Sequence, residues 1–184
     1  HLTDMVNRMV GALLDSSDAS LAATAVYLRV KAGNLLKANS YAYFHLASKA
    51  LEKGVRAEIK ELVPSLASKL KAPPTMLSLV PFEEMDNKVA FNAISRPFEI
   101  NYSEPLATLN VRLGHMLDRD ILRIGQNPFR PEVFLMAFHA AWCEFEPDVE
   151  SHPLILPLLR PDILFDMAPL LENLNQGLMR KGVL

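Results

Sequence analysis

The chain has 184 residues, 50% of them hydrophobic, and a formal net charge of −2, enough for one ordinary domain or two small ones sharing a core. A single cysteine, Cys143, excludes an internal disulfide and a thiolate-cluster metal site, and Pro157 and Arg160 break the longest apolar run well short of a membrane span. The apolar supply is mainly Leu, Ala, Met and Val, with only 7 Gly against 13 Pro, which predicts helices punctuated by proline and excludes a hairpin-rich fold.

Apolar residues recur at helical spacing from the start. A first helix is predicted over Leu2 to Leu14, with Met5, Val6, Met9, Val10 and Leu13 on one face. Asp15-Ser16-Ser17-Asp18 offers capping groups for a second, over Ala19 to Lys37. Asn39-Ser40 restarts the chain, and a third helix over Tyr41 to Lys53 is expected to stop at Gly54. Arg56 to Leu70 reads as a further helix kinked or split by Pro64. Ala72-Pro73-Pro74-Thr75 is the strongest linker signal, so the expected organisation is a basic helical region over 1–71, a linker over 72–76 and a second helical region over 77–184, possible as one shared core.

Pro81 can open the next helix, continuous over Asp86 to Ser95 and ended by Arg96-Pro97. Ser103-Glu104-Pro105 is a helix start carrying Leu106, Leu109, Leu113, Met116 and Leu117. Gly125 to Pro131 reads as a rigid loop, and a helix begins at Pro131 with Val133, Phe134, Ala137, Phe138, Ala141, Trp142 and Phe145. Two last helices are predicted over Ser151 to Leu159 and Asp162 to Arg180, shortened or bent by Pro157 and Pro169. The expected fold class is all-α, a proline-punctuated multi-helix bundle of about eight or nine helices.

The small net charge hides an asymmetry. Between Arg29 and Lys71 nine bases face three acids, a local +6; from Ala72 onward nine bases face fifteen acids, a local −6. A polyanion-binding face would draw on Arg29, Lys31, Lys37, Lys49, Lys53, Arg56 and Lys60. The competing reading is a solvated surface, because the cations are mostly Lys spread along helices without interleaved aromatics. Tyr41, Tyr43 and Phe44 beside them suit either base stacking or helix packing.

His139 and Cys143 are four residues apart on one predicted helix, the spacing that sets a thiol beside an imidazole. No third orienting group is identifiable, and a packed, inert cysteine is the expected outcome. The carboxylate pairs Glu83-Glu84, Asp118/Asp120 and Glu144/Glu146 are spaced to point apart on helices, with Asp118-Arg119-Asp120 expected as a solvated turn. A helix-turn-helix register built on Ala50 and Gly54 fails, because Lys49, Lys53 and Lys60 occupy positions that require a core. No phosphate-cradling glycine loop is present. No catalytic residue, metal ligand or cofactor is assigned, and the expected type is non-enzymatic.

The stretch from Leu77 onward resembles a family of large, uncharacterised proteobacterial proteins. The resemblance rests on Leu77-Ser78-Leu79-Val80, Glu104-Pro105-Leu106-Ala107-Thr108-Leu109-Asn110 with Arg112-Leu113, Asn127-Pro128-Phe129-Arg130-Pro131, Leu170 to Asn175, and the ending Arg180-Lys181-Gly182-Val183-Leu184. It covers 77–184 and implies a piece of a larger bacterial protein, as does the opening at His1 without Met. Some members carry a thymidine phosphorylase label, but this chain has neither the glycine-rich phosphate loop nor the alternating strands and helices of such an enzyme. The matching residues have structural readings: Asn127 as a cap for the helix at Pro131, Phe129 as a plug onto the core, and Gly182 as a left-handed helix stop. Phe98, Ile100, Leu154, Ile155 and Leu156 look like more apolar surface than a small bundle hides. The expected function is therefore a helical interaction or regulatory module of a cytoplasmic protein. Its expected partners are other domains of the same protein, another protein or a second copy, with nucleic acid the alternative through 29–71 and no membrane.

Overall fold

The computed structural model describes residues 2–15, 22–63, 82–164 and 166–183, with side chains left out at 2 and 82–89. Among them every regular element is helical. The seven α-helices are α1 (Leu2–Leu14), α2 (Ala23–Ala38), α3 (Ser40–Leu62), α4 (Phe82–Asn101), α5 (Ser103–Met116), α6 (Pro131–Phe145) and α7 (Ala168–Arg180). Two 3-10 segments, Ile124–Gln126 and Val149–Leu158, complete the set. The fold is an all-α multi-helix bundle, and α1, α5 and α6 begin where the sequence patterns place them.

The chain divides into two compact units. One comprises His1–Glu52 with Phe134–Met167, the other Lys53–Val133 with Ala168–Leu184. The expected linker over 72–76 and the kink at Pro64 fall outside the described residues, as do most of the capping residues before α2 and Leu77 to Val80.

In the first unit α1 buries Met5, Val6, Met9 and Leu13, the face that its spacing predicts, against α2. The centre is aromatic. Tyr43 is fully buried, meets Trp142 and Phe145 edge-on at 6.1 and 5.6 Å, and donates its hydroxyl to the Phe138 carbonyl at 3.2 Å. Trp142 Nε1 donates to the Ser151 carbonyl at 3.1 Å, so both polar tips inside the cluster are satisfied. In the second unit Phe98, Leu106, Leu109 and Leu171 are fully buried, and α5 packs on α7.

Several expectations are corrected. Gly54 does not stop a helix: α3 runs unbroken from Ser40 to Leu62, with Val133 beside the glycine. That continuity also rules out a turn at Gly54 of the kind a helix-turn-helix needs. Arg96-Pro97 does not end α4, which carries Pro97 inside it on the exposed side and continues into the fully buried Phe98. The segment expected as a helix over Ser151 to Leu159 is a 3-10 stretch containing Pro153 and Pro157. The predicted surplus of apolar surface is smaller than expected: Phe98 and Ile155 are fully buried, Leu154 and Leu156 half-buried, and only Ile100 stands out at 67% exposed.

Gly182 matches its expectation. Its φ is +80°, and the bonds Val183 N to Leu178 O and Gly182 N to Met179 O close the end of α7 in the Schellman pattern.

Candidate functional site

The cationic residues sort by what they touch. Arg29 donates to the Ala12 carbonyl at 2.7 Å, and Lys31 pairs with Asp148 at 2.8 Å. That pairing, through its hydrogen bond first, holds the Lys31 ammonium above its ordinary pKa and the Asp148 carboxyl below its own. Both cations are thus engaged within the first unit. Lys37 is exposed near the end of α2. Lys49, Lys53, Arg56 and Lys60 are exposed on α3, at spacings of four, three and four residues that place them along one side of the helix. The structure therefore gathers four of the seven predicted cations by helical spacing.

The aromatic trio separates. Tyr43 belongs to the core, whereas Tyr41 is 81% exposed and stacks on Phe44 with centroids 6.3 Å apart and planes 19° from parallel. This pair walls a pocket of about 180 Å³ lined also by Thr3, Val6 and Asn7 of α1 and by Ser40. The pocket was not anticipated, because nothing in the spacing of Thr3 and Asn7 signals that α1 lies beside the start of α3.

His139 and Cys143 are adjacent as predicted, with Sγ 3.9 and 3.8 Å from the two ring nitrogens. Burial, and then repulsion from His152, lowers the His139 pKa; burial raises that of Cys143. Both shifts favour the neutral thiol and neutral imidazole, the reverse of an activated thiolate. His152 donates from Nε2 to the Glu146 carbonyl at 2.8 Å. Glu144 is exposed and Glu146 buried, so this pair points apart. Asp118-Arg119-Asp120 is an exposed turn, with Asp118 left-handed at φ 53°. The side chains of Glu83 and Glu84 lie outside the described set.

The second unit holds a polar network that sequence reasoning did not assemble. Arg130 is clamped by Glu58, at 2.6 and 3.0 Å, and by Glu132 at 3.0 Å. Desolvation works against the Arg130 charge, but the bonds to Glu58 and Glu132 outweigh it and its pKa is raised. Asn127 donates to Asn110 Oδ1 at 2.7 Å, while its own Oδ1 accepts from Phe129 N at 2.8 Å. Asn127 thus ties the loop to α5 rather than capping α6, and Phe129 is only half-buried. Arg112 donates to Asn175 Oδ1 at 2.8 Å, and Asn175 donates to the Pro105 carbonyl at 3.0 Å. Glu58 lies 72 residues from Arg130, a separation at which no local pattern could pair them.

A third surface lies beyond α5. Arg119 N donates to Gly114 O and Leu122 N to Asn110 O, folding the following turn back onto the helix. Glycine at 114 permits this, because a Cβ there would meet Ile121 Cα at 2.9 Å. Met116 at the end of α5, Ile121 after the turn and Ile124 at the start of the 3-10 segment are left exposed, together with Arg119 and Arg123.

Among the described residues no group of three or more His, Cys, Asp or Glu is placed to hold a metal ion, and none of the helices is long and apolar enough to cross a membrane. The family described as Protein of unknown function (DUF1631) N-terminal domain matches residues 1–182. The likeness therefore extends over the first 71 residues as well as over 77–182. No curated protein and no solved structure matches the chain.

Proposed function

Because the chain belongs to that family of unknown function through its N-terminal domain, its chemistry is read from its own surface, and we propose that it is a helical protein-docking module of a longer bacterial cytoplasmic protein. The observation that carries this reading is the turn after α5. Met116, Ile121 and Ile124 stand exposed beside Arg119 and Arg123 on a backbone pinned to the helix at Gly114. Large apolar side chains with arginines are the composition of interface centres, and a pinned turn loses little conformational entropy on binding. The neutral Cys143–His139 pair supports a non-catalytic reading.

The test is photo-crosslinking in cells from benzoylphenylalanine at Ile121, with the same probe at exposed Asp162 as control. Protein adducts at 121 that are absent at 162 support docking. No adduct, or adducts to nucleic acid, overturns it. A second reading, polyanion binding, is favoured by the four cations on one side of α3. It predicts oligonucleotide affinity that falls steeply with salt and falls again in Lys53→Glu and Lys60→Glu.

A further inference from the structure

The loop that leaves α6 holds two polar side-chain atoms without a partner. Glu146 is 1% exposed and Ser151 is fully buried, yet Glu146 Oε2 and Ser151 Oγ make no hydrogen bond among the described residues. Buried polar groups in native proteins are paired with protein or with ordered water, because an unpaired one loses its hydration for nothing. The rest of the loop is saturated. Glu146 Oε1 accepts from Asp148 N at 3.1 Å, and the Asp148 carbonyl accepts from Ser151 N at 2.9 Å. The Glu146 carbonyl accepts from His152 Nε2 at 2.8 Å, and the Ser151 carbonyl from Trp142 Nε1 at 3.1 Å. The backbone of Asp148 is thus bonded on one side to the Glu146 carboxylate and on the other to the Ser151 amide.

We propose that this loop encloses an internal water molecule bonded to Glu146 Oε2 and Ser151 Oγ. The chemistry of the two atoms selects water. A carboxylate oxygen only accepts, whereas a hydroxyl both donates and accepts, so one water can donate to Glu146 Oε2 while taking either role toward Ser151. A hard cation wants about six oxygen ligands, but the carbonyls of Glu146, Asp148 and Ser151 already accept N–H donors, which leaves two free oxygens. A larger ligand is excluded because both atoms are closed off from solvent. The bound water ties the end of α6 to the 3-10 segment, across the turn whose Asp148 carboxylate pairs with Lys31 of α2. It shares no residue with the docking surface after α5, so each reading stands or falls alone.

The test is oxygen-17 relaxation dispersion, which detects long-lived internal waters and is blind to exchanging hydroxyl protons. It is run on the full chain and on Ser151→Ala, Glu146→Gln and the double variant. Both changes are small, and Trp142 fluorescence checks the fold, since its bond goes to the Ser151 carbonyl that every variant keeps. The double variant is expected to lose the dispersion amplitude of about one water relative to wild type. In urea unfolding the double variant should lower the folding equilibrium constant by clearly less than the product of the two single effects, because either change alone breaks the bridge. An unchanged dispersion amplitude in the double variant overturns the proposal, and so do fully multiplicative effects. A direct Ser151–Glu146 bond would couple the two residues without any loss of amplitude, and it too counts against the water.

Discussion

At Gly54 an added methyl meets only Val133 Cγ1, at an ordinary 3.5 Å. Gly54→Ala should therefore stabilise the protein by about 0.5–1 kcal/mol, the usual gain for replacing glycine inside a helix, seen as a higher urea midpoint. Gly114→Ala should go the other way by about 1–3 kcal/mol, because the new atom would press on the Ile121 backbone, which no rotamer change can relieve. Tyr43 gives a pH signature at the same scale. Burial raises its pKa, so the neutral phenol is favoured by folding, and that stability is intact below the unfolded value of about 10 and lost as pH rises beyond it. Tyr43→Phe should flatten the alkaline decline in chemical denaturation. His139 is shifted down, so its contribution is full above about pH 6.5 and falls as pH drops below that value. His139→Gln should remove that acid slope.

At the scale of elements, proline placement explains why so many helices survive so many prolines. Pro131 and Pro105 sit in first turns, where no intrahelical donor is lost, and Pro153 and Pro157 lie in the 3-10 segment rather than in an α-helix. Pro97 is the exception inside α4. Pro97→Ala should raise the unfolding temperature, corresponding to about 1–3 kcal/mol. The tie between α3 and the residues opening α6 can be probed in the same way. Glu58→Ala removes both hydrogen bonds that Arg130 donates to Glu58 and should cost about 1–3 kcal/mol, less than for a fully buried pair because Glu58 keeps some solvent access.

For the whole molecule, the all-α class was legible because Met5, Val6, Met9 and Leu13 repeat at a period that no strand satisfies. Helix stops were less legible. Gly54 and Pro97 carry local stop signals, yet the helices continue through both, to Leu62 and to Asn101. Of the candidate sites, the cationic side of α3 and the Cys143–His139 contact were readable, since both are set by spacing within one helix. The Tyr41 pocket and the Arg130 clamp were not, since each joins residues distant in sequence.

That same separation has a consequence for biosynthesis. The first unit joins His1–Glu52 to Phe134–Met167, and Tyr43 precedes the carbonyl that accepts its hydroxyl by 95 residues. At about 5–20 residues per second, a ribosome takes roughly 5–20 s to cover that interval. Throughout it, the apolar faces of α1 and α2 have emerged without the Trp142 side of their core. Nascent chains stalled before Pro131 should thus be cut by protease within α1 to α3 and recognised by chaperones, whereas chains extended past Met167 should resist. The order in which the core is delivered, as much as its composition, sets when this protein first becomes safe from aggregation.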